Sequence, residues 1–158
     1  MISLNARETA ALAALGSALL LAGAFGFQLA GYAPCPMCIW QRWPHAVAAV
    51  IGLAIWFAGP RRVLIVAGLC AALIATGLAF YHAGIELGLW QGATACTAGV
   101  ADLASMSTAD LMAQLQGAPV VRCDEPAWSL FGISMAGWNG LISSVLVVLW
   151  AAALRRGA

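Results

Sequence analysis

Four long apolar stretches, separated by more polar segments, dominate the pattern of the chain. They run from about Thr9 to Leu29, Trp43 to Gly59, Val63 to Tyr81 and Met135 to Leu154. A helix needs about 20 apolar residues to cross the hydrocarbon core of a bilayer, and frequent Gly and Ala residues let such helices pack closely. The pattern therefore predicts an all-α membrane protein, a single domain over residues 1–158 built as a four-transmembrane-helix bundle.

A cleaved signal peptide is the alternative interpretation of the first stretch. Signal peptides combine a positively charged start with an apolar region of about 7–15 residues. Here Glu8 offsets Arg7, and the apolar stretch is longer than that. We therefore expect this segment to remain in the protein as a membrane helix.

The composition agrees with a membrane location and excludes an ordinary soluble protein. Hydrophobic residues make up 63% of the chain and charged residues only 8%, whereas soluble domains carry about 25% charged residues. Nucleic-acid binding is not supported, because the arginines form no basic patch beyond two pairs at the expected membrane edges.

The distribution of arginine predicts the orientation in the membrane, because positive residues mark cytoplasmic segments. Three separate segments on one side of the helices carry most of them: Arg7, Arg61, Arg62, Arg155 and Arg156. We expect both termini in the cytoplasm and the loops at about residues 30–42 and 82–134 on the opposite side. In the second of these loops, an N-cap at Ser107 and the aromatic segment after Ala127 predict short or interfacial helices.

Two of the five cysteines, Cys35 and Cys38, form a CxxC pair at the edge of the second apolar stretch. Redox-active dithiols use this spacing, and a helix N-terminus stabilises a thiolate. Arg42 lies one helical turn further on and can hold an anion, either a thiolate or a reduced organic acceptor.

A structural disulfide or half of a zinc site would also fit the CxxC pair. A disulfide across so short a ring stabilises little, and zinc would need two more ligands at matching spacing. Cys96 and Cys123 offer no second CxxC or CxxH. We therefore favour a redox dithiol and predict no metal site.

The spacing of Cys96 and Cys123 does not decide between a structural bridge and an exchanging disulfide. Closing such a loop would stabilise the fold by roughly 3–4 kcal/mol, yet small residues flank Cys96, and a disulfide that is attacked must be exposed. His82 could bind a carbonyl, shuttle a proton or only mark the water boundary. Cys70, in mid-membrane, is expected to be a packing residue.

The segment from Cys35 to Arg42, with Tyr81-His82, Cys96 and the segment from Cys123 to Gly132, resembles the bacterial DsbB family, disulfide bond formation protein B. The resemblance covers nearly the whole chain. Members commonly carry an acidic residue or Gln before the Arg, and Gln41 fits the second pattern.

The resemblance implies an inner-membrane protein-dithiol:quinone oxidoreductase with its cysteine pairs on the periplasmic side. A DsbA-like thioredoxin-fold partner would be reoxidised by the Cys96–Cys123 disulfide, with Cys96 forming the mixed disulfide. Cys123 would exchange with Cys35, and Cys38 would face a membrane quinone, ubiquinone or menaquinone. The implied catalytic residues are Cys35, Cys38, Cys96 and Cys123, and the implied quinone-binding residues are Arg42, His82 and Cys38.

Elementary redox chemistry supports the same direction. The partner in such a relay is itself a strong oxidant, so its reoxidation needs an acceptor of still higher potential. No haem motif or dinucleotide fingerprint is present in the sequence. Two alternatives remain open: a vitamin K epoxide reductase-like quinone reductase, whose CxxC normally comes late in the chain, and a non-enzymatic membrane scaffold with structural disulfides.

Overall fold

The protein is represented by a computed structural model that describes residues 4–92, 107 and 121–157. These residues form four long helices and one antiparallel hairpin of two short strands. The helices are α1 (Ala6–Leu29), α2 (Pro36–Ala58), α3 (Arg62–Glu86) and α4 (Met135–Arg156), and the strands are β1 (Ser129–Leu130) and β2 (Ile133–Ser134). Cys96 and the short helix expected after Ser107 lie outside the described residues.

Three of these helices, α1, α3 and α4, are long and apolar enough to cross a membrane. The protein is therefore a helical membrane protein, as its apolar pattern predicts. The fourth, α2, has 23 residues but is less apolar, because Gln41, Arg42 and His45 all lie in its first half.

Two helices reach further than the apolar stretches that predict them. Helix α2 begins at Pro36 rather than near Trp43, because the Cys35 side chain accepts a hydrogen bond from the Cys38 N–H and caps the helix. Proline suits the next position, where a helix needs no N–H donor. Helix α3 continues past Tyr81 to Glu86, so the loop begins after Glu86 and not at His82 as the apolar pattern predicts.

The arginine-rich ends of the helices lie together at one end of the bundle. Arg156 Nη1, at the end of α4, donates to Thr9 Oγ1 near the start of α1 at 2.6 Å. The Arg7 guanidinium lies 4.9 Å from the ring centre of Trp56, near the end of α2. These two contacts and the short turn between α2 and α3 show that successive helices run in opposite directions. The CxxC pair therefore lies at the other end of the bundle from the arginines.

The hairpin before α4 covers the CxxC end. Its strands pair Ser129 with Ser134, and Phe131 and Gly132 make the turn with positive φ angles of 53° and 77°. This part of the loop is therefore a hairpin and not a short helix, while its place on the membrane surface stays a prediction. The Trp128 ring packs 5.1 Å from Phe27 of α1, which holds the hairpin against the bundle.

Glycines let the helices approach each other closely at two points. A Cβ atom added to Gly52 of α2 would lie 1.9 Å from the Cβ of Ala14 of α1. A Cβ added to Gly68 of α3 would lie 2.5 Å from the ring of Trp150, which is fully buried in α4. Such small-residue contacts replace the hydrophobic effect as the source of helix association in lipid.

Replacing Gly68 by Ala should lower the stability of the protein, because the added methyl group must displace the Trp150 ring. Overpacking of this kind costs about 1–3 kcal/mol, and thermal unfolding in detergent followed by circular dichroism measures it. Gly77→Ala is the control on the same helix, since no atom lies within 4 Å of its added Cβ. Equal midpoints for the two variants would contradict this account of the α3–α4 contact.

Candidate functional site

The two CxxC sulfurs lie within disulfide reach of each other. Cys35 Sγ and Cys38 Sγ are 2.8 Å apart, and the Cys38 N–H donates to Cys35 Sγ at 3.2 Å. The hydrogen bond with Cys38, followed by burial, raises the pKa of the Cys35 thiol. The two thiols also differ in position, since Cys35 caps the helix and Cys38 lies in its first turn.

Helix α3 and the segment before the hairpin bring two more predicted residues to this pair. His82 Nε2 lies 3.6 Å from Cys35 Sγ. Cys123 is completely buried and packs in one cluster with Cys35, Met37 and Ile85. Cys123 therefore lies beside the CxxC pair.

His82 also completes a group of three potential metal ligands. The ligand atoms of Cys35, Cys38 and His82 all lie within 4.8 Å of one another. Sequence spacing could not show this third donor, which comes from another helix. Structural zinc sites take four ligands, so the three fall one short, and the lack of a metal site stays a prediction.

A chain of buried polar side chains continues from His82 across the bundle. Gln41 Nε2 lies 2.7 Å from His82 Nδ1, and Asn139 Nδ2 donates to Gln41 Oε1 at 2.7 Å. Asn139 Oδ1 lies 3.0 Å from His45 Nε2 and accepts from Ser143 Oγ at 3.2 Å. Sequence reasoning missed Gln41 and Asn139 as partners because 98 positions separate them.

The last turn of α3 also holds the hairpin in place. Ser134 Oγ donates to Glu86 Oε2 and caps α4 by accepting from the Gly137 N–H at 3.1 Å. The other oxygen, Glu86 Oε1, lies 3.9 Å from His82 Nε2. Glu86 therefore connects the hairpin to the histidine beside Cys35.

A cavity of about 390 Å³ adjoins the CxxC pair, a volume typical of small-molecule sites. Its walls are largely apolar side chains of α1 and α4 with a few polar groups of α2. Representative lining residues are Leu20, Phe27, Cys38, Arg42, Trp138 and Ile142.

Arg42 is one of two arginines that line this cavity, together with Arg122. Its Nη1 donates to Gln28 Oε1 at 2.6 Å and its Nη2 to the Ala24 carbonyl at 3.3 Å. The guanidinium lies 4.7 Å from the ring centre of Phe25. The buried Nε has no hydrogen-bond partner among the described residues. A guanidinium in this largely apolar wall favours a ligand with an acceptor oxygen.

Comparison with known families agrees with this site. The family model described as Disulfide bond formation protein DsbB matches residues 6–153. The chain belongs to the DsbB family. The resemblance stated from the motifs is thereby confirmed, and the chain is a membrane protein of disulfide bond formation.

Individual relatives cover most of the chain. Disulfide bond formation protein B of Stutzerimonas stutzeri is 30% identical over 154 residues, which are 91% of this chain and 93% of the relative. Its counterpart of the same name in Aromatoleum aromaticum is 31% identical over 147 residues, 87% of both chains. An uncharacterized protein of Rickettsia prowazekii is 26% identical over 118 residues, 74% of this chain and 69% of the relative. No solved structure gives a significant match.

The fold of this DsbB-family chain thus assembles most of the residues named from sequence. Cys35, Cys38, His82 and Cys123 meet at one end of the bundle, and Arg42 lies on the cavity beside them. Cys96 lies outside the described residues.

The segment that carries Cys123 is braced by the charges beside it. Arg122 Nη2 lies 2.6 Å from Asp124 Oδ2, and this hydrogen bond holds the pKa of the Asp124 carboxyl below its usual range. Both groups are exposed enough for solvent to screen them, so the pair orients the segment and adds little stability.

After complete reduction, a maleimide should modify Cys38 before Cys35 or Cys123. Cys38 is half-buried, whereas the exposed fractions of Cys35 and Cys123 are 2% and 0%. Timed labelling in mild detergent followed by peptide mass spectrometry measures the order, and labelling in denaturant is the control that should remove it. Equal rates for Cys35 and Cys38 in the folded protein would show that the pair is oriented differently.

Proposed function

We propose that this protein oxidises the dithiol of a periplasmic, DsbA-like thioredoxin-fold protein and passes the electrons to a membrane quinone, ubiquinone or menaquinone. One juxtaposition carries the proposal. A CxxC pair in disulfide reach lies between buried Cys123 on one side and an apolar cavity with Arg42 on the other. An aqueous thiol system and a lipid-dissolved acceptor could therefore both reach it.

The proposed topology has four spans, with both termini in the cytoplasm and both cysteine pairs on the periplasmic side of the inner membrane. Helix α2 becomes the fourth span because it packs between α1 and α3 along the bundle. The arginine-rich ends lie together at one end, and positive segments stay in the cytoplasm.

Two thiol exchanges would carry electrons to the CxxC pair. A partner thiolate attacks Cys96, forms a mixed disulfide and releases the Cys123 thiolate. This thiolate attacks Cys35, so that the Cys123–Cys35 bond forms and the Cys35–Cys38 bond breaks, leaving the electron pair on Cys38. Burial of Cys123 in one cluster with Cys35 supports this step.

Two further exchanges would complete the transfer. The second partner thiolate attacks the mixed disulfide, which closes the partner's own disulfide and releases the Cys96 thiolate. Cys96 then attacks Cys123, restores the Cys96–Cys123 bond and releases the Cys35 thiolate. The partner has then lost two electrons, and the Cys35–Cys38 pair has gained them.

The cavity residues fit a quinone. Arg42 would offer its guanidinium to a carbonyl oxygen, and apolar side chains of α1 and α4 would hold the ring and tail. Cys38 and His82 also line the cavity. A bound quinone would accept two electrons and two protons from the reduced pair. In this arrangement Arg42 orients the acceptor, while the helices exclude water.

Replacing any one of Cys35, Cys38, Cys96 or Cys123 by Ser should abolish quinone-dependent oxidation, because each removes one sulfur of the relay. The assay uses proteoliposomes containing ubiquinone and a reduced DsbA-like protein, followed by quinone absorbance and thiol trapping. Cys70→Ser is the matched control, since Cys70 lies in α3 away from the cavity, and it should keep full turnover. Wild-type rates for all four variants would instead indicate a scaffold with structural disulfides.

Arg42→Ala should raise the apparent KM for quinone about tenfold, the usual effect of losing a hydrogen bond from a charged donor. Thiol exchange between the two cysteine pairs, measured in a single turnover without quinone, should remain. Arg61→Ala is the control at the other end of the bundle. An unchanged KM would remove Arg42 from the quinone site.

A further inference from the structure

One buried network has no part yet in the proposed relay. It runs from His45 through Asn139 and Gln41 to His82 and ends at the Cys35 sulfur. His45, Gln41 and His82 are only 4%, 6% and 3% exposed. Buried polar groups among membrane helices are costly unless paired, so the pairing restricts which atom of each group donates.

The two amides can pair in either of two opposite directions, because turning both over exchanges their donors and acceptors. In the structure they have the following one. Each amide has one accepting oxygen and one donating NH₂ group. Asn139 uses its NH₂ group on Gln41 Oε1, which leaves its own oxygen to accept from Ser143. Because the Gln41 oxygen is occupied, its NH₂ group is the atom that faces His82 Nδ1 at 2.7 Å.

This direction determines where His82 carries its proton. A neutral imidazole has one N–H and one accepting nitrogen. Since Nδ1 accepts from Gln41, the proton lies on Nε2, the nitrogen 3.6 Å from Cys35 Sγ.

The groups around Nε2 lead to the same assignment independently. In the disulfide state Cys35 has no proton to donate, so a hydrogen bond to its sulfur must come from His82. Glu86 Oε1, at 3.9 Å from Nε2, also favours an N–H there over a lone pair. The contacts of Nε2 therefore select the arrangement in which Gln41 donates to Nδ1.

We infer that Gln41 and Asn139 are positioning residues that fix His82 as an Nε2–H donor to the Cys35 sulfur. Asn139 orients Gln41, and Gln41 selects the tautomer of His82. The consequence for exchange rests on the proposed function. When Cys96 attacks the Cys123–Cys35 bond, a Cys96–Cys123 bond forms and the electron pair leaves on Cys35. The His82 N–H stabilises that thiolate, as charge-assisted hydrogen bonds do.

A carboxylate at position 41 would favour a proton on Nδ1 of His82 instead of a lone pair there. Gln41→Glu keeps the shape and the acceptor for Asn139 but removes the donor to Nδ1. An acceptor facing Nδ1 draws a proton to that nitrogen, whether His82 becomes the other tautomer or imidazolium. The substitution therefore moves a proton, which a purely structural contact would not do.

Nitrogen-15 NMR of histidine-labelled protein in detergent tests the inference without partner or quinone. The chain has only two histidines, so a His45→Gln sample assigns the signals. In the unaltered protein His82 should be protonated on Nε2 and unprotonated on Nδ1, and Gln41→Glu should protonate Nδ1. Asn139→Leu should give a mixture of tautomers. Ser144→Ala, whose hydroxyl donates to the Gly140 carbonyl in the same helix, should leave the spectrum unchanged.

A proton on Nδ1 in the unaltered protein would overturn the inference, as would an unchanged spectrum in Gln41→Glu. A second readout is the single-turnover exchange between the two cysteine pairs. Gln41→Met should slow this exchange about tenfold, because His82 would no longer be held with its proton on Nε2. A rate equal to that of the unaltered protein would exclude a role for Gln41 in exchange. The proposed function fails separately, through loss of quinone-linked turnover, because neither readout uses quinone.

Discussion

The Gln41 side chain is the contact on which the cysteine end of the bundle depends. It projects from α2, pairs with His82 of α3 through its amide nitrogen and with Asn139 of α4 through its oxygen. In lipid the helices gain little from the hydrophobic effect, so small-residue packing and interhelical hydrogen bonds must hold them. Glycine contacts supply the close packing between helices. Gln41 supplies the interhelical hydrogen bonds at the end of the bundle where Cys35 caps α2.

The two CxxC thiols at this end of the bundle lie in different environments. Cys35, at the helix cap, is buried against Cys123 and His82. Cys38, inside the first turn, is half-buried, and both cysteines line the cavity with Arg42. In the proposed relay this difference would give electron flow its direction, with exchange at Cys35 and the acceptor at Cys38.

Much of this arrangement follows from sequence because it depends on local or one-dimensional patterns. Apolar length predicts α1, α3 and α4, and the CxxC-to-Arg42 spacing predicts one helical face. Hydropathy predicts a later start for α2 than the structure has, because Gln41 and Arg42 lower the mean hydropathy of its first turns. The helix begins at Pro36 because Cys35 caps it and proline suits the first position. Hydropathy detects spans, whereas capping determines helix ends.

Contacts between residues that are far apart in the sequence could not be predicted from it. Asn139 reads as one polar residue in an apolar stretch, and nothing local connects it with Gln41 or His45. Its role becomes visible only when α4 packs beside α2 and each polar atom must find a partner.

That requirement also explains why the histidine beside the cysteines need not change its charge to act. In the proposed exchange the amides are oriented before any thiol reacts, so His82 would already present its N–H when Cys35 leaves as a thiolate. Preorganised donors of this kind avoid reorganisation during the step, and they count for more in a low-dielectric site than in water. A neutral Gln–His pair suits a membrane-buried position better than a charged one, since it provides the donor without the cost of burying an ion.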